Sequence, residues 1–199
     1  MQASYLERHP RLKDGFGIVV FIVCVFLGTL FINTFIFRSF NVDGPSMEPT
    51  LYTGDRLVVS RLPVTWAQLH NERYVPERGQ VIVFKNPRYS SGVGEQYLVK
   101  RVIAFPGERV VLKDGVFTVY NAAVPQGFNP DDTNNGEPGS PTSGEVDTVV
   151  PAETIFVSGD HREGSYSYDS RNGLGTVPYF DIVGPVSYRI FPFSKLRSF

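Results

Sequence analysis

Cysteine is almost missing from this 199-residue chain: Cys24 is the only one, so neither an internal disulfide nor a cysteine-based metal site can form. Histidine is scarce as well. His9, His70 and His161 stand far apart, without the close spacing by which a zinc site gathers its ligands. Zinc hydrolysis is therefore not expected, nor is any cofactor. Charge of one sign is also lacking: the formal net charge is −1, which gives no broad positive field for nucleic acid. After residue 38 no amphipathic helix of useful length is legible.

Phe, Tyr, Gly and Pro are abundant, at 16, 10, 19 and 15 residues. Short β-branched and aromatic runs begin at Arg56, Gln80, Tyr97, Arg109, Val116, Thr154 and Pro185, and most are bounded by turn pairs such as Arg78-Gly79, Asn86-Pro87, Pro106-Gly107 and Asp114-Gly115. The pair at Asp114-Gly115 predicts a hairpin. The expected fold class is mainly β. Thr65 to Glu77 reads as an irregular insertion. Asn129 to Gly144 holds no large apolar residue, so it reads as a flexible surface insertion without chemistry.

One long apolar run, uncharged from Phe16 to Phe37, precedes all of this. About 20 residues at 1.5 Å rise cross a hydrocarbon layer of ~30 Å. A cleavable signal peptide has a shorter apolar core ending in small residues, whereas this run ends in Phe35-Ile36-Phe37-Arg38. An uncleaved transmembrane helix over 16–37 is the expectation. Arg8, Arg11 and Lys13 precede it, while Arg38 is the only basic residue between it and Arg56. Basic residues favour the cytoplasmic side, so residues 1–15 form a cytoplasmic tail and residues 38–199 an extracytoplasmic domain. The protein is then a single-pass cell-membrane protein with the lipid bilayer as a partner and no nucleic acid.

A serine hydroxyl attacks a carbonyl only when a base takes its proton, and lysine serves as that base only when neutral. Its reference pKa of about 10.4 must fall by several units through burial. Lys100, on the same strand face as Val102, sits in an apolar run that suits such a lysine, and Ser46 stands close to the membrane, at most ~30 Å of extended chain from the anchor. By local pattern alone, Lys100 more often reads as a solvated strand lysine and Ser46 as a turn residue.

Several segments, in order, resemble the type I signal peptidases, membrane-bound Ser/Lys endopeptidases that remove signal peptides from exported preproteins. They are the anchor; Gly44-Pro45-Ser46-Met47-Glu48-Pro49-Thr50-Leu51; Arg78-Gly79-Gln80-Val81-Ile82-Val83-Phe84; Lys100 to Glu108; and Gly159-Asp160-His161-Arg162 through Asp169-Ser170-Arg171 to Pro178. The resemblance implies a β domain of the signal peptidase type. It makes Ser46 the nucleophile, with its N–H an oxyanion donor, and Lys100 the general base. The family's lysine-orienting serine falls on Ser167, with Ser165 in reserve. Asp169 with Arg171, and Asp160 and Arg162, become supports of the site. Phe40, Val42, Met47, Leu51 and Val99 become candidates to line shallow apolar pockets for small residues before the cut, although core packing is an equal reading of each. Partners implied are signal peptides of secreted preproteins, bound extended beside a strand edge, and a place near the export machinery. Gly44 departs from the serine that supplies a second oxyanion donor in some members, Gln80 replaces Asp and His161 replaces Asn. Phe191, Phe193 and Trp66 present apolar faces either to lipid or to the underside of the domain. The alternatives are a soluble self-cleaving repressor protease, a non-catalytic anchored β domain that binds exported peptides, and a Ser/His pair built on His161 and Asp160.

Overall fold

The structure, a computed structural model, describes residues 10–90, 96–134, 138 and 141–199, without the side chains of residues 10–13 and 133. Residues 1–9 of the expected tail, including Arg8, and parts of the expected insertion at 129–144 lie outside the described residues.

Helix α1 (Pro10–Phe31) continues into a wider π-helical turn, Ile32–Ile36. Among the described residues its apolar side chains are exposed from Phe16 onward. The stretch Asp14–Ile36, 23 residues, is long and apolar enough to cross a membrane. At Phe37 the backbone turns extended, so the last residue of the apolar run already belongs to strand β1 (Phe37–Asn41).

The remaining strands are β2 (Arg56–Ser60), β3 (Val81–Lys85), β4 (Tyr97–Ala104), β5 (Arg109–Lys113), β6 (Val116–Tyr120), β7 (Val146–Val149), β8 (Thr154–Ser158), β9 (Val177–Pro178), β10 (Ile182–Phe191) and β11 (Arg197–Ser198). The fold is mainly β. Among the described residues, eight strands form one antiparallel sheet in the order β1-β2-β10-β3-β4-β8-β9, with β11 added beside β10. β10 joins its halves: Ile182, Gly184 and Pro185 pair with β3, and Val186 to Phe191 pair with β2. Strands β6-β5-β7 form a second, smaller sheet. Its hairpin turns at Asp114 and Gly115, both at positive φ (52° and 78°), with Lys113 opposite Val116. A two-residue turn of this kind needs two left-handed residues, which Asp-Gly supplies.

β4 lies between packed layers, so nearly all of its side chains are buried. Val99 packs beside the cluster of Val42, Met47, Leu51, Val59 and Val83, while Leu98 and Val102 belong to the cluster of Ile82, Phe84, Val157 and Leu174. Emptying one such position, Leu98→Ala for example, costs about 2–5 kcal/mol through lost transfer energy and the cavity left behind.

Two segments differ from the sequence reading. A short helix, α2 (Leu62–Leu69), forms where an irregular stretch was expected. Pro63 suits its first turn, and Val64 and Ala67, three apart, are buried. Its start is tied to the base of the anchor: Arg61 N–H donates to Ile36 O (2.7 Å) and Thr65 Oγ1 to Phe35 O (3.0 Å). The second difference is at Asn129–Gly144, expected to be a surface insertion. There a 3₁₀ turn, Pro130–Asn134, carries Asp131 into the interior, where it and Thr142 are buried.

Candidate active site

Ser46 sits in a loop closed by its own turns, Pro45 O accepting from Glu48 N–H (3.0 Å) and Met47 O from Leu51 N–H (2.8 Å). Met47 and Leu51 are fully buried and pin the loop to the core. Gly44, at φ 88°, makes the bend that turns the chain from β1 toward Ser46, a conformation easy only for glycine.

Lys100 reaches the same point from β4, where it lies opposite Ile82. It is only 2% exposed. Its Nζ donates to Ser46 Oγ at 2.7 Å and to Val99 O at 3.0 Å. Two residues separated by 53 others in sequence thus share one hydrogen bond.

The floor beneath them is made by the chain after β8. His161 N–H donates to Ser46 O (3.1 Å). Gly159 passes so close that a Cβ would collide with Ser46 O and with the Ser167 hydroxyl. No larger residue fits there. Asp160 takes a bidentate bond from Arg101 (2.8 and 2.5 Å), whose third contact is Gly79 O (2.7 Å). Arg162 forks onto both oxygens of Asp131 at 2.7 Å. Arg171 Nη2 holds Asp169 Oδ2 at 2.7 Å, and that same oxygen accepts from the Ser167 hydroxyl (2.6 Å) and Gly159 N–H (2.9 Å). Burial alone would raise the pKa of Asp169. Hydrogen bonds and charge from Arg171, helped by Ser167 and Gly159, outweigh it and hold the carboxyl below its usual range.

A cleft of about 310 Å³ opens beside Ser46 and Lys100, and Phe40, Val42 and Val99 line it together with Leu57, Val83 and Tyr97. Met47 and Leu51 lie behind this wall, in the core. Ser167 is buried under the loop, whereas Ser165 is exposed. Asp160 engages Arg101, while the His161 ring stacks on Tyr166 (4.5 Å, 23°) with Nδ1 against Pro45 O (3.2 Å). The sequence reading gave no role to Arg101 or Asp131. Asn129-Pro-Asp131 carried the signal for the second: Asn129 Oδ1 accepts from Asp131 N–H (3.0 Å), a local turn that Asn favours. Among the described residues no group of three or more His, Cys, Asp or Glu could hold a metal ion. An amine and a hydroxyl in contact at the foot of an apolar cleft can carry out acyl transfer without one.

A family model described as "Signal peptidase, peptidase S26" matches residues 15–191. A signal peptidase I of Bacillus licheniformis is 32% identical, covering 96% of this chain and 97% of that protein. Signal peptidase I T of Bacillus subtilis (strain 168) is 33% identical over 88% of this chain and 85% of that protein. Among solved structures, a signal peptidase I from Enterococcus faecalis V583 is 25% identical, with a TM-score of 0.42, and the match covers 57% of this chain and 97% of that one.

Proposed function

The chain belongs to the signal peptidase, peptidase S26, family, and on that premise we propose that it cleaves N-terminal signal peptides from exported preproteins, with Ser46 as nucleophile and Lys100 as general base. The observation that carries this reading is the 2.7 Å contact between Lys100 Nζ and Ser46 Oγ at a 2% exposed lysine. Burial penalises the ammonium relative to the neutral amine. With the amine neutral the hydrogen bond reverses, and the hydroxyl proton points at Nζ. Attack by Oγ on the scissile carbonyl passes that proton to Nζ, which then protonates the departing amine of the mature chain. Water, deprotonated by the same amine, releases the signal peptide from the serine. Ser46 N–H supports the oxyanion, a kind of contact worth about 3–4 kcal/mol. Ser167, fixed by Asp169 below the loop, orients Lys100.

The substrate lies extended between the exposed end of β1 and the start of β4, and Phe40, Val42 and Val99 restrict the residues before the cut to small ones. In this reading α1 spans the bilayer with the N-terminus in the cytoplasm, and the β domain works outside, near the export machinery. The exposed stripe of Leu62, Trp66 and Leu69 on α2, whose start is tied to the base of the anchor, supports contact with the outer leaflet.

The test is processing of a preprotein by the full chain in detergent. Ser46→Ala and Lys100→Ala each lower the rate by about 10⁴-fold or more, while His161→Ala stays within about tenfold. Processing that survived Lys100→Ala would overturn the assignment of the base.

A further inference from the structure

The cleft does not stop at Ser46. A second arm, of about 460 Å³, shares Asp43, Ser46, Leu98 and Lys100 with the first and is walled by Gly44, Pro45, Arg88, Tyr166 and Tyr168. The chain gives the two arms a direction. β1 leaves the end of the apolar helix at Phe37 and runs extended through Phe40 and Val42, in the first arm, before reaching Gly44, Pro45 and Ser46 at the second. The first arm therefore lies between the anchor and the nucleophile, and the second continues past it. A signal peptide held in a bilayer enters through the first arm, so the residues after the cut occupy the second.

Two features make the second arm a binding surface. Along Tyr166 to Asp169 the exposures alternate: Ser167 and Asp169 are fully buried, whereas Tyr166 and Tyr168 are 62% and 41% exposed. The buried pair builds the floor, and this period of two turns both rings outward. Tyr166 is braced by its stack on His161, itself bonded to Pro45 O and Ser46 O. Arg88 is oriented as firmly. Its backbone N–H donates to Asn86 Oδ1 (2.9 Å), and its side-chain Nε donates to Leu174 O (2.9 Å), while no carboxylate among the described residues pairs with it. Asp43 stands where the arms meet, so a negative substrate group is favoured only farther from the cut.

We propose that this arm binds the first residues of the mature chain, with Tyr166 and Tyr168 flanking its backbone and Arg88 selecting an acidic side chain at the second or third mature position. The proposal rests on the peptidase reading and adds a specificity site to it. The test uses the full chain in detergent and preproteins identical up to the cut that carry Glu or Lys at the second and third mature positions. Wild type favours the Glu substrate by about two- to fivefold in kcat/KM, the scale of a solvent-exposed charge pair. Arg88→Glu reverses the order, Arg88→Lys keeps it, and Tyr166→Ala with Tyr168→Ala raises KM several-fold for both substrates with kcat nearly kept. A Glu-to-Lys ratio equal in wild type and Arg88→Glu overturns this proposal alone. Failure of wild type to cut either substrate overturns the peptidase reading and this one with it.

Discussion

Arginine–aspartate pairs brace two parts of this protein, the floor under Ser46 and the small outer sheet, with contacts of much the same length. Beneath the cleft Arg101–Asp160, Arg162–Asp131 and Arg171–Asp169 close at 2.5, 2.7 and 2.7 Å. On the outer sheet Arg109, of β5, meets Asp147, of β7, at 2.6 Å. Distance does not separate them; burial does. The floor pairs have side chains no more than 9% exposed, whereas Arg109 and Asp147 are more than half exposed. In water a pair of charges gives up good solvation for a weak, screened attraction, and the gain is slight. Under the cleft there is no water to return to, so each partner is held to the other by the cost of leaving it alone. The geometry around Ser46 and Lys100 inherits that rigidity.

The strongest way to break this contrast is Asp160→Ala, which leaves the Arg101 guanidinium buried without its carboxylate. We expect a loss of about 3–5 kcal/mol, seen as a fall in Tm on the order of 10 °C for a domain of this size, together with most of the activity, because Arg101 neighbours Lys100 on β4. Replacing both partners, Arg101→Met with Asp160→Leu, restores much of the stability, since it is the unpaired charge and not the absence of the pair that costs most. A double variant no more stable than Asp160→Ala would show that Arg101 acts by its bond to Gly79 O instead.

A smaller effect should appear in acid. The carboxyl of Asp169 has its folded pKa held below the ordinary value of about 3.9. Its contribution is therefore complete above the unfolded pKa and is lost as the pH falls through the folded one. Unfolding by urea between pH 7 and 3 should show stability dropping below about pH 4, with a shallower drop for Asp169→Asn. An equally steep acid limb in that variant would assign the loss to other carboxyls. Least of all is expected from Asp147→Ala. Although Arg109 lowers the pKa of Asp147 through its hydrogen bond, both groups are in water, and Tm should not move measurably. A clear fall there would erase the distinction between the two regions.

Much of the β framework was legible because local chemistry repeats the tertiary answer. The runs at Arg56, Tyr97, Arg109, Val116 and Thr154 became strands, and Asp114-Gly115 turned the hairpin, since positive φ at two successive residues is a local demand. Strand β1 was not legible because only Phe37 of it belongs to the apolar run, and the Arg38-Ser39-Phe40-Asn41 that follows is too short and polar to stand out as a strand. Helix α2 is only eight residues long. Tertiary packing of Val64 and Ala67 decides so short a helix, not its own propensity. Asp131 escaped notice for the opposite reason: a polar segment reads as solvated unless one knows that Arg162 waits inside.

By itself the sequence determined an apolar span, a mainly β domain and the order of motifs that a signal peptidase carries, because each of these is written in neighbouring residues. Only the tertiary structure decided that Lys100 meets Ser46, that Asp160 belongs to Arg101 and Asp131 to Arg162, and that the cleft continues past the serine. Those pairings join distant stretches of chain, and nothing short of the folded packing brings their atoms within bonding distance.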